Sequence, residues 1–218
     1  MKDIAIYGSG GFGREVACLI DRINKSCDEP EWNLIGFFDD SKETGYPVSH
    51  NGNVLGSIEA LNDWPSPLNI VIAIGNPQAV RKVAQEITNP LIEFPNVIDP
   101  SFSICDAEAF RIGKGNIIQG RQCFASCDVV IGDFNVLNGS VVLGHDVKMG
   151  SFNVFMSNVF LSGEVVVGDC NLLGVGAIVL QRVKIGNNVH LSPASVLITN
   201  PKDGELYIGN PAQLFKYR

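Results

Sequence analysis

Apolar residues recur at every sixth position through most of the second half of this chain. Ile131, Leu137, Leu143, Met149, Phe155, Leu161, Val167, Leu173, Val179, Ile185, Leu191 and Leu197 form the series, without a polar interruption. With 45% of all residues hydrophobic, chance would yield such a run about once in ten thousand trials. A period of six fits neither an amphipathic helix nor a strand that alternates every two residues. It fits a parallel β-helix of triangular section, in which three strand-and-corner units make one coil. The pairs Ile131-Gly132, Met149-Gly150, Val167-Gly168 and Ile185-Gly186 recur once per coil, where glycine is expected to relax the backbone at corners. The ladder continues back through Phe124, Ile118 and Ile112, but Ile112 to Ile131 spans 19 positions. One residue is therefore inserted, and it is expected around residues 123–130. About five coils at a strand spacing of roughly 4.8 Å predict a prism on the order of 24 Å tall.

The first part of the chain has a different pattern. A β-branched run at residues 4–7 precedes Gly8-Ser9-Gly10-Gly11-Phe12-Gly13 and then a helical face of Val16, Leu19, Ile20 and Ile23. Further strands are predicted at 34–38, ending in Asp39-Asp40, at 70–74, ending in Gly75-Asn76-Pro77, and at 91–94. Glycines between a strand and a helix let a ligand approach the backbone, while helix-terminal N–H groups face an anion. A dinucleotide needs two βαβαβ halves, and the length before the repeats holds only one. The expectation is thus a small Rossmann-like domain over residues 1–95 that binds one nucleotide-linked molecule, with Gly10, Gly11 and Phe12 at the phosphates. Asp39, Asp40 and Gly75 fall at the carboxyl ends of neighbouring strands, where such crevices form. A joint at residues 95–100, bounded by prolines, leads to a second domain over 96–218. The fold class is α/β plus all-β.

Composition narrows the partners. A net charge of -7, with no basic cluster interleaved with aromatics, argues against nucleic acid and anionic membrane. The start lacks a charged region followed by an apolar stretch and cleavage site, and no apolar run approaches 18 residues, so a cytoplasmic protein without membrane insertion is expected. The cysteines, Cys18, Cys27, Cys105, Cys123, Cys127 and Cys170, form no CxxC pair and are expected as reduced, structural thiols.

Three histidines remain for chemistry: His50, in a loop-like context, His190, turned outward by strand alternation, and His145. His145 lies in Leu143-Gly144-His145-Asp146, at a predicted corner. Residues 18 apart stack, so Gly163 lies over the imidazole and offers a bare N–H. Such a pair suits acyl transfer: the ring takes a proton from the nucleophile and the N–H meets the developing oxyanion, while Asp146 orients the ring. Asp146 also stacks beneath Glu164, and above Asp128 if the insertion allows it. A zinc enzyme on the same prism, of the γ-class carbonic anhydrase kind, would need three histidine ligands, and no metal site is expected.

The ladder, the Gly144-His145-Asp146 corner, the tail Gly209-Asn210-Pro211-Ala212 and the amino-terminal Gly-Ser-Gly-Gly-Phe-Gly with Gly36-Phe37-Phe38-Asp39-Asp40 together resemble the bacterial sugar O-/N-acetyltransferases. These include nucleotide-linked 4-amino-sugar N-acetyltransferases and sialic acid O-acetyltransferases. The resemblance implies a left-handed β-helix, a homotrimer, and acetyl-CoA as co-substrate in the groove between adjacent prisms. It implies acetyl transfer to the amino group of a nucleotide-activated 4-amino-4,6-dideoxy sugar, with His145 as general base and Asp146 beside it. Gly10, Gly11, Phe12, Asp39, Asp40, Gly75 and a pocket-lining Asn138 match substrate positions. Gly163, Val175 and Pro193 match the coenzyme track, and Val154 stands where some relatives carry a second histidine. Two alternatives are acetylation of a sugar hydroxyl and a non-catalytic trimeric scaffold that binds sugar nucleotides.

Overall fold

The computed structural model describes residues 1–120 and 122–216. They divide into two compact units: residues 1–100 with 114–117, and residues 101–113 with those from 118 onward.

The first unit runs β1 (Lys2–Tyr7), α1 (Gly11–Ser26), β2 (Trp32–Phe38), β3 (Val54–Gly56), α2 (Ile58–Asn62), β4 (Leu68–Ile72), α3 (Pro77–Glu86) and β5 (Ile92–Glu93). Its sheet is parallel, in the order β3-β2-β1-β4-β5. Consecutive residues Ile4, Ala5 and Ile6, and Ile70 and Val71, are each 0% exposed; a strand covered on both faces needs an unbroken apolar run, not alternation. α1 buries Val16, Ala17, Leu19, Ile20 and Ile23, as its 3.6-residue apolar stripe dictates. The strand order reverses between β1 and β4, which opens a crevice at their carboxyl ends. β3 and α2 lie in a stretch for which the pattern predicts no element, since each is too short to carry a periodic signal. The unit also extends past residue 95. Val97–Ile98 is a strand, the Val97 N–H donates to the Asn116 carbonyl at 2.8 Å, and Arg22 Nε pairs with the buried Asp99 at 2.9 Å. The boundary thus falls at Pro100, and the prolines bracket a short strand instead of an irregular joint.

The second unit is a left-handed parallel β-helix. Its first face stacks Ser103–Ile104, Phe124–Ala125, Val142–Leu143, Phe160–Leu161, Ile178–Val179 and Val196–Leu197. The second face stacks Arg111–Ile112, Val130–Ile131, Lys148–Met149, Val166–Val167 and Lys184–Ile185. A third continues through Val136–Leu137, Val154–Phe155, Leu172–Leu173 and His190–Leu191 to Leu206–Ile208, closed by the antiparallel strand Gln213–Phe215. Ladder residues fill the axis: Leu137, Leu143, Phe155, Leu161, Leu173, Leu191 and Leu197 are at most 1% exposed. The residues two positions earlier, Val141, Val147, Val159, Val165 and Val189 among them, are equally buried, because a strand turns residues i and i−2 to one side.

Two expectations fail in the β-helix. The inserted residue lies between Gln119 and Phe124, ahead of residues 123–130. Ile112 pairs with Ile131, and the Gln119 N–H still reaches Leu137, yet Phe124 already pairs with Val142 in the regular register. Ala125, not Phe124, is therefore the ladder residue, and Phe124 turns outward. Nor do the glycines relax the corners. The positive-φ residue at successive corners is Asp128, Phe134, Ser140, Asp146, Phe152, Asn158, Glu164, Cys170, Gly176, Arg182, Asn188 and Ala194, all but one of them non-glycine. That conformation costs roughly 1–2 kcal/mol for a residue with a Cβ. Each of these N–H groups from Asp146 onward is answered by a carbonyl of the preceding coil, for example Asp146 to Cys127 at 2.9 Å and Glu164 to His145 at 2.8 Å. Gly132, Gly150 and Gly168 are needed for stacking: a Cβ there would stand 2.5 to 2.7 Å from the carbonyl oxygen of the glycine one coil above.

Candidate active site

In the first unit, the six residues expected to hold a nucleotide gather at the carboxyl ends of β1, β2 and β4. They differ in what fixes them. Gly8 and Gly13 are required by packing, since a Cβ on Gly8, at φ +107°, would stand 2.7 Å from the Ala73 carbonyl oxygen and one on Gly13 would strike that of Gly8. Gly10 and Gly75 face open space, and Gly11 has only the Arg14 guanidinium at 4.0 Å. Gly10 caps α1 without a side-chain hydrogen bond, and no acid occupies the first turn, so N–H groups of a sixteen-residue helix face outward with nothing to shield an anion from them.

Asp39 and Asp40 shape this cradle from behind. Asp39 Oδ2 accepts from the Ser9 N–H at 2.8 Å and its hydroxyl at 2.6 Å; Oδ1 accepts from the Ser41 N–H at 2.9 Å and its hydroxyl at 2.7 Å. Partial burial would raise this carboxyl, but the donors from Ser41 and Ser9 outweigh it and hold it down at about 2. Asp40 accepts from the Tyr7 hydroxyl at 2.6 Å and the Ile58 N–H at 2.9 Å; burial first, and then that bond, push the Tyr7 phenol upward. Both carboxylates thus tie the glycine loop and the loops after β2 and β3 together, in addition to any contact they make with a ligand.

In the second unit, His145 projects from the corner between the first and second faces. Its Nδ1 lies 2.8 Å from Asp146 Oδ2, and the two side chains are 51% and 55% exposed. A carboxylate can only accept, so Nδ1 carries the hydrogen, and in the neutral ring Nε2 keeps its lone pair. The ring lies across Gly163, where a Cβ would fall on its Nε2, Cε1 and Cδ2. The 18-residue stacking expected from the sequence is therefore realised, and among the described residues the Gly163 N–H donates to no protein acceptor.

With the insertion placed before Phe124, Asp128 also falls in register below Asp146, so Asp128, Asp146 and Glu164 stand on successive coils. The same column continues to Arg182, which the sequence reading missed although the same addition of 18 finds it. Arg182 holds Glu164 through Nε at 3.0 Å and Nη2 at 3.1 Å, and Gln181 adds 3.0 Å. The Arg182 hydrogen bonds, foremost, lower the Glu164 carboxyl.

The remaining candidates do not join His145 within one chain. Asn138, whose Nδ2 lies 3.6 Å from Met156 Sδ, Val175, 44% exposed, and the exposed Pro193 line the corner between the third and first faces. That corner is the opposite edge of the first face. Val154 is 1% exposed: its side chain is covered by the chain itself, which does not suit the expected contact with a coenzyme. His50 is exposed in its loop beside Ser49, and His190 is exposed on the third face. Among the described residues, no group of three metal-ligating side chains occurs.

Residues 3–87 match the family of PglD N-terminal domains. The acetyltransferase domain of PglB from Neisseria gonorrhoeae, in complex with acetyl coenzyme A, superposes with a TM-score of 0.82 at 24% identity, covering 98% of this chain and 99% of that one. The chain has the fold of the bacterial sugar acetyltransferases. PerB from Caulobacter crescentus, in complex with CoA and GDP-perosamine, gives 0.81 at 25% identity over 99% and 98%. WeeI from Acinetobacter baumannii gives 0.85 at 22% over 99% and 100%. The similarity runs the full length of the sugar-acetyltransferase fold, both units included. No match was found among curated proteins.

Proposed function

We propose that this protein transfers an acetyl group from acetyl-CoA to the amino group of a nucleotide-activated 4-amino-4,6-dideoxy sugar. The observation that carries this reading is the His145 imidazole lying across Gly163, with Nδ1 held by Asp146 and Nε2 unengaged. In the reaction, the sugar amine attacks the thioester carbonyl and His145 Nε2 takes the proton that the forming C–N bond releases. The Gly163 N–H meets the oxyanion, and the C–S bond breaks to expel the coenzyme thiolate, which takes up a proton. Asp146 keeps the ring in the required tautomer and stabilises the imidazolium. No covalent acyl-enzyme is needed.

The nucleotide part suits the first unit, where the uncapped α1 terminus, Gly10, Gly11, Phe12 and Gly75 form a surface for a diphosphate. Support for the amine acceptor comes from the solved proteins of this fold, of which one is a perosamine N-acetyltransferase bound to CoA and GDP-perosamine. The coenzyme groove is proposed between copies. His145 and Gly163 line one edge of the first face, and Asn138, Val175 and Pro193 line the other. A cyclic trimer packed through this face would set one edge against the other across each contact. From the second strand onward, the outward positions of the face, Phe124, Val142, Phe160, Ile178 and Val196, form an apolar column in which Phe160 is 42% and Ile178 36% exposed.

The test is a coenzyme-release assay of the purified protein over a panel of UDP-, dTDP- and GDP-linked 4-amino sugars, beside His145→Ala. A substrate turned over by wild type and slowed on the order of a hundredfold or more in the variant supports the reading. Equal rates for the two proteins would end it, and turnover only of hydroxyl acceptors would make the protein an O-acetyltransferase.

A further inference from the structure

Two thiols stand apart from the proposed reaction and from the axis of the β-helix. Cys105 follows the strand Ser103–Ile104 and Cys127 follows Phe124–Ala125. The two strands pair in register, Ile104 with Ala125, and the Cys105 N–H donates to the Ala125 carbonyl at 2.8 Å. This pairing brings the side chains of the first two coils together at one corner, where the Cys127 S–H donates to Cys105 Sγ at 3.9 Å. Cys105 is exposed and Cys127 half-buried, whereas Cys123 and Cys170 are buried. Cys18 and Cys27, also exposed, are separated by about 13 Å of helix at 1.5 Å per residue and have no such partner. In this register Cys105 stands opposite Ser126 and diagonal to Cys127; with strands roughly 4.8 Å apart and a rise of about 3.3 Å per residue, the diagonal is about 6 Å, within the Cα separation of about 4.4–6.8 Å that a disulfide spans. Rotation of the side chains closes the remaining gap.

We propose that Cys105 and Cys127 form a redox-active dithiol, oxidised by a hydroperoxide to an intramolecular disulfide that ties the first coil of the β-helix to the second. The exposed Cys105 sulfur attacks the peroxide; the O–O bond breaks, an alcohol or water leaves, and Cys105 becomes a sulfenic acid. The Cys127 sulfur then displaces the hydroxyl, the S–S bond forms, and water carries off the Cys127 proton. Both thiols together give up the two electrons that the peroxide accepts, and a dithiol reductant reverses the change. The hydrogen bond that Cys127 donates to Cys105, foremost, raises the Cys127 thiol above its ordinary value. Cys127 stands one coil below His145, and its carbonyl accepts the Asp146 N–H at 2.9 Å. The cross-link therefore fastens the corner on which the carboxylate beside His145 rests. The dithiol stands on its own geometry, whatever group the protein transfers.

The experiment treats the folded, reduced protein with equimolar hydrogen peroxide or tert-butyl hydroperoxide, alkylates it under denaturing conditions and maps the digest by mass spectrometry. The expected product is a peptide pair joined through Cys105 and Cys127 that dithiothreitol releases, with Cys18 and Cys27 alkylated. In Cys127→Ser the cross-link is absent and a dimedone-reactive sulfenic acid accumulates at Cys105; in Cys105→Ser both are absent. Full alkylation of Cys105 and Cys127 after the peroxide is consumed, or a disulfide joining either one elsewhere, overturns the proposal.

Discussion

A side chain on Gly163 would occupy the space that the His145 ring fills. Gly163 is not in the left-handed region, so alanine strains no backbone there and acts only by pushing the imidazole away. Gly163→Ala should lower kcat/KM by about a hundredfold, the cost of displacing a base by about 1 Å, while thermal unfolding shifts by no more than a few degrees. A variant that keeps full activity would dissociate the ring's position from the chemistry. This arrangement was legible beforehand because stacking is arithmetic: 145, 163 and 181 share one column, and 146, 164 and 182 the next. Cys105 and Cys127 were not legible, because Ile104 and Ala125 pair across 21 positions in a coil whose spacing follows no repeat. Unlike Cys123 and Cys170, these two free thiols are not buried.

Among the elements, the β-helix carries a second periodic device. Asn135, Asn153 and Asn171 are each 0% exposed and form a ladder just past the glycine corners. Asn153 Nδ2 donates to Asn135 Oδ1 at 3.0 Å and to the Gly168 carbonyl at 2.9 Å; Asn153 Oδ1 accepts from the Asn171 N–H and Nδ2 at 2.9 Å. Each rung thus satisfies corner groups that water cannot reach, and the Phe134 and Phe152 rings stack beside it at 5.4 Å. Asn153→Leu conserves volume but leaves several of these groups unpaired. It should cost about 3–5 kcal/mol in urea-induced unfolding, whereas a cost below about 1 kcal/mol would mean that the ladder is satisfied some other way. The 18-residue spacing of these asparagines stood in the sequence, yet polar residues on the inward track contradict a purely apolar pattern, so periodicity alone left them unread. In the first unit the uncapped α1 terminus gives a complementary prediction. Aspartate is a good N-cap and also a fixed anion. Gly10→Asp should keep or slightly raise the melting temperature while weakening nucleotide-sugar binding about tenfold or more by calorimetry; unchanged affinity would remove the helix terminus from the binding site.

At the scale of the whole molecule, the two halves of the proposed coenzyme groove lie on opposite edges of one face, and the base is half exposed in a single chain. On the proposed function, association is therefore part of the chemistry. Light scattering should return about three times the 23.5 kDa chain mass, consistent with a closed ring packed through an apolar face. Phe160→Asp puts a charge in the middle of the apolar column and should yield a folded monomer whose acetyl transfer falls together with its assembly. A monomeric wild type, or a fully active monomeric variant, would place the coenzyme within one chain.

By itself, the sequence determined what repeats. The six-residue ladder, the 18-residue coil, the stacking of His145 under Gly163, and the strand, glycine turn and helix at the start all follow from local periodicity and backbone sterics, which neighbouring residues settle among themselves. Only the tertiary structure decided what depends on partners remote in the chain. It assigned the insertion to the stretch before Phe124, engaged Asp39 and Asp40 in holding loops, covered Val154, and drew Cys105 to Cys127. Each of these turns on which carbonyl or side chain arrives from another coil or strand, and hydrogen bonds between such groups leave no periodic trace in one sequence.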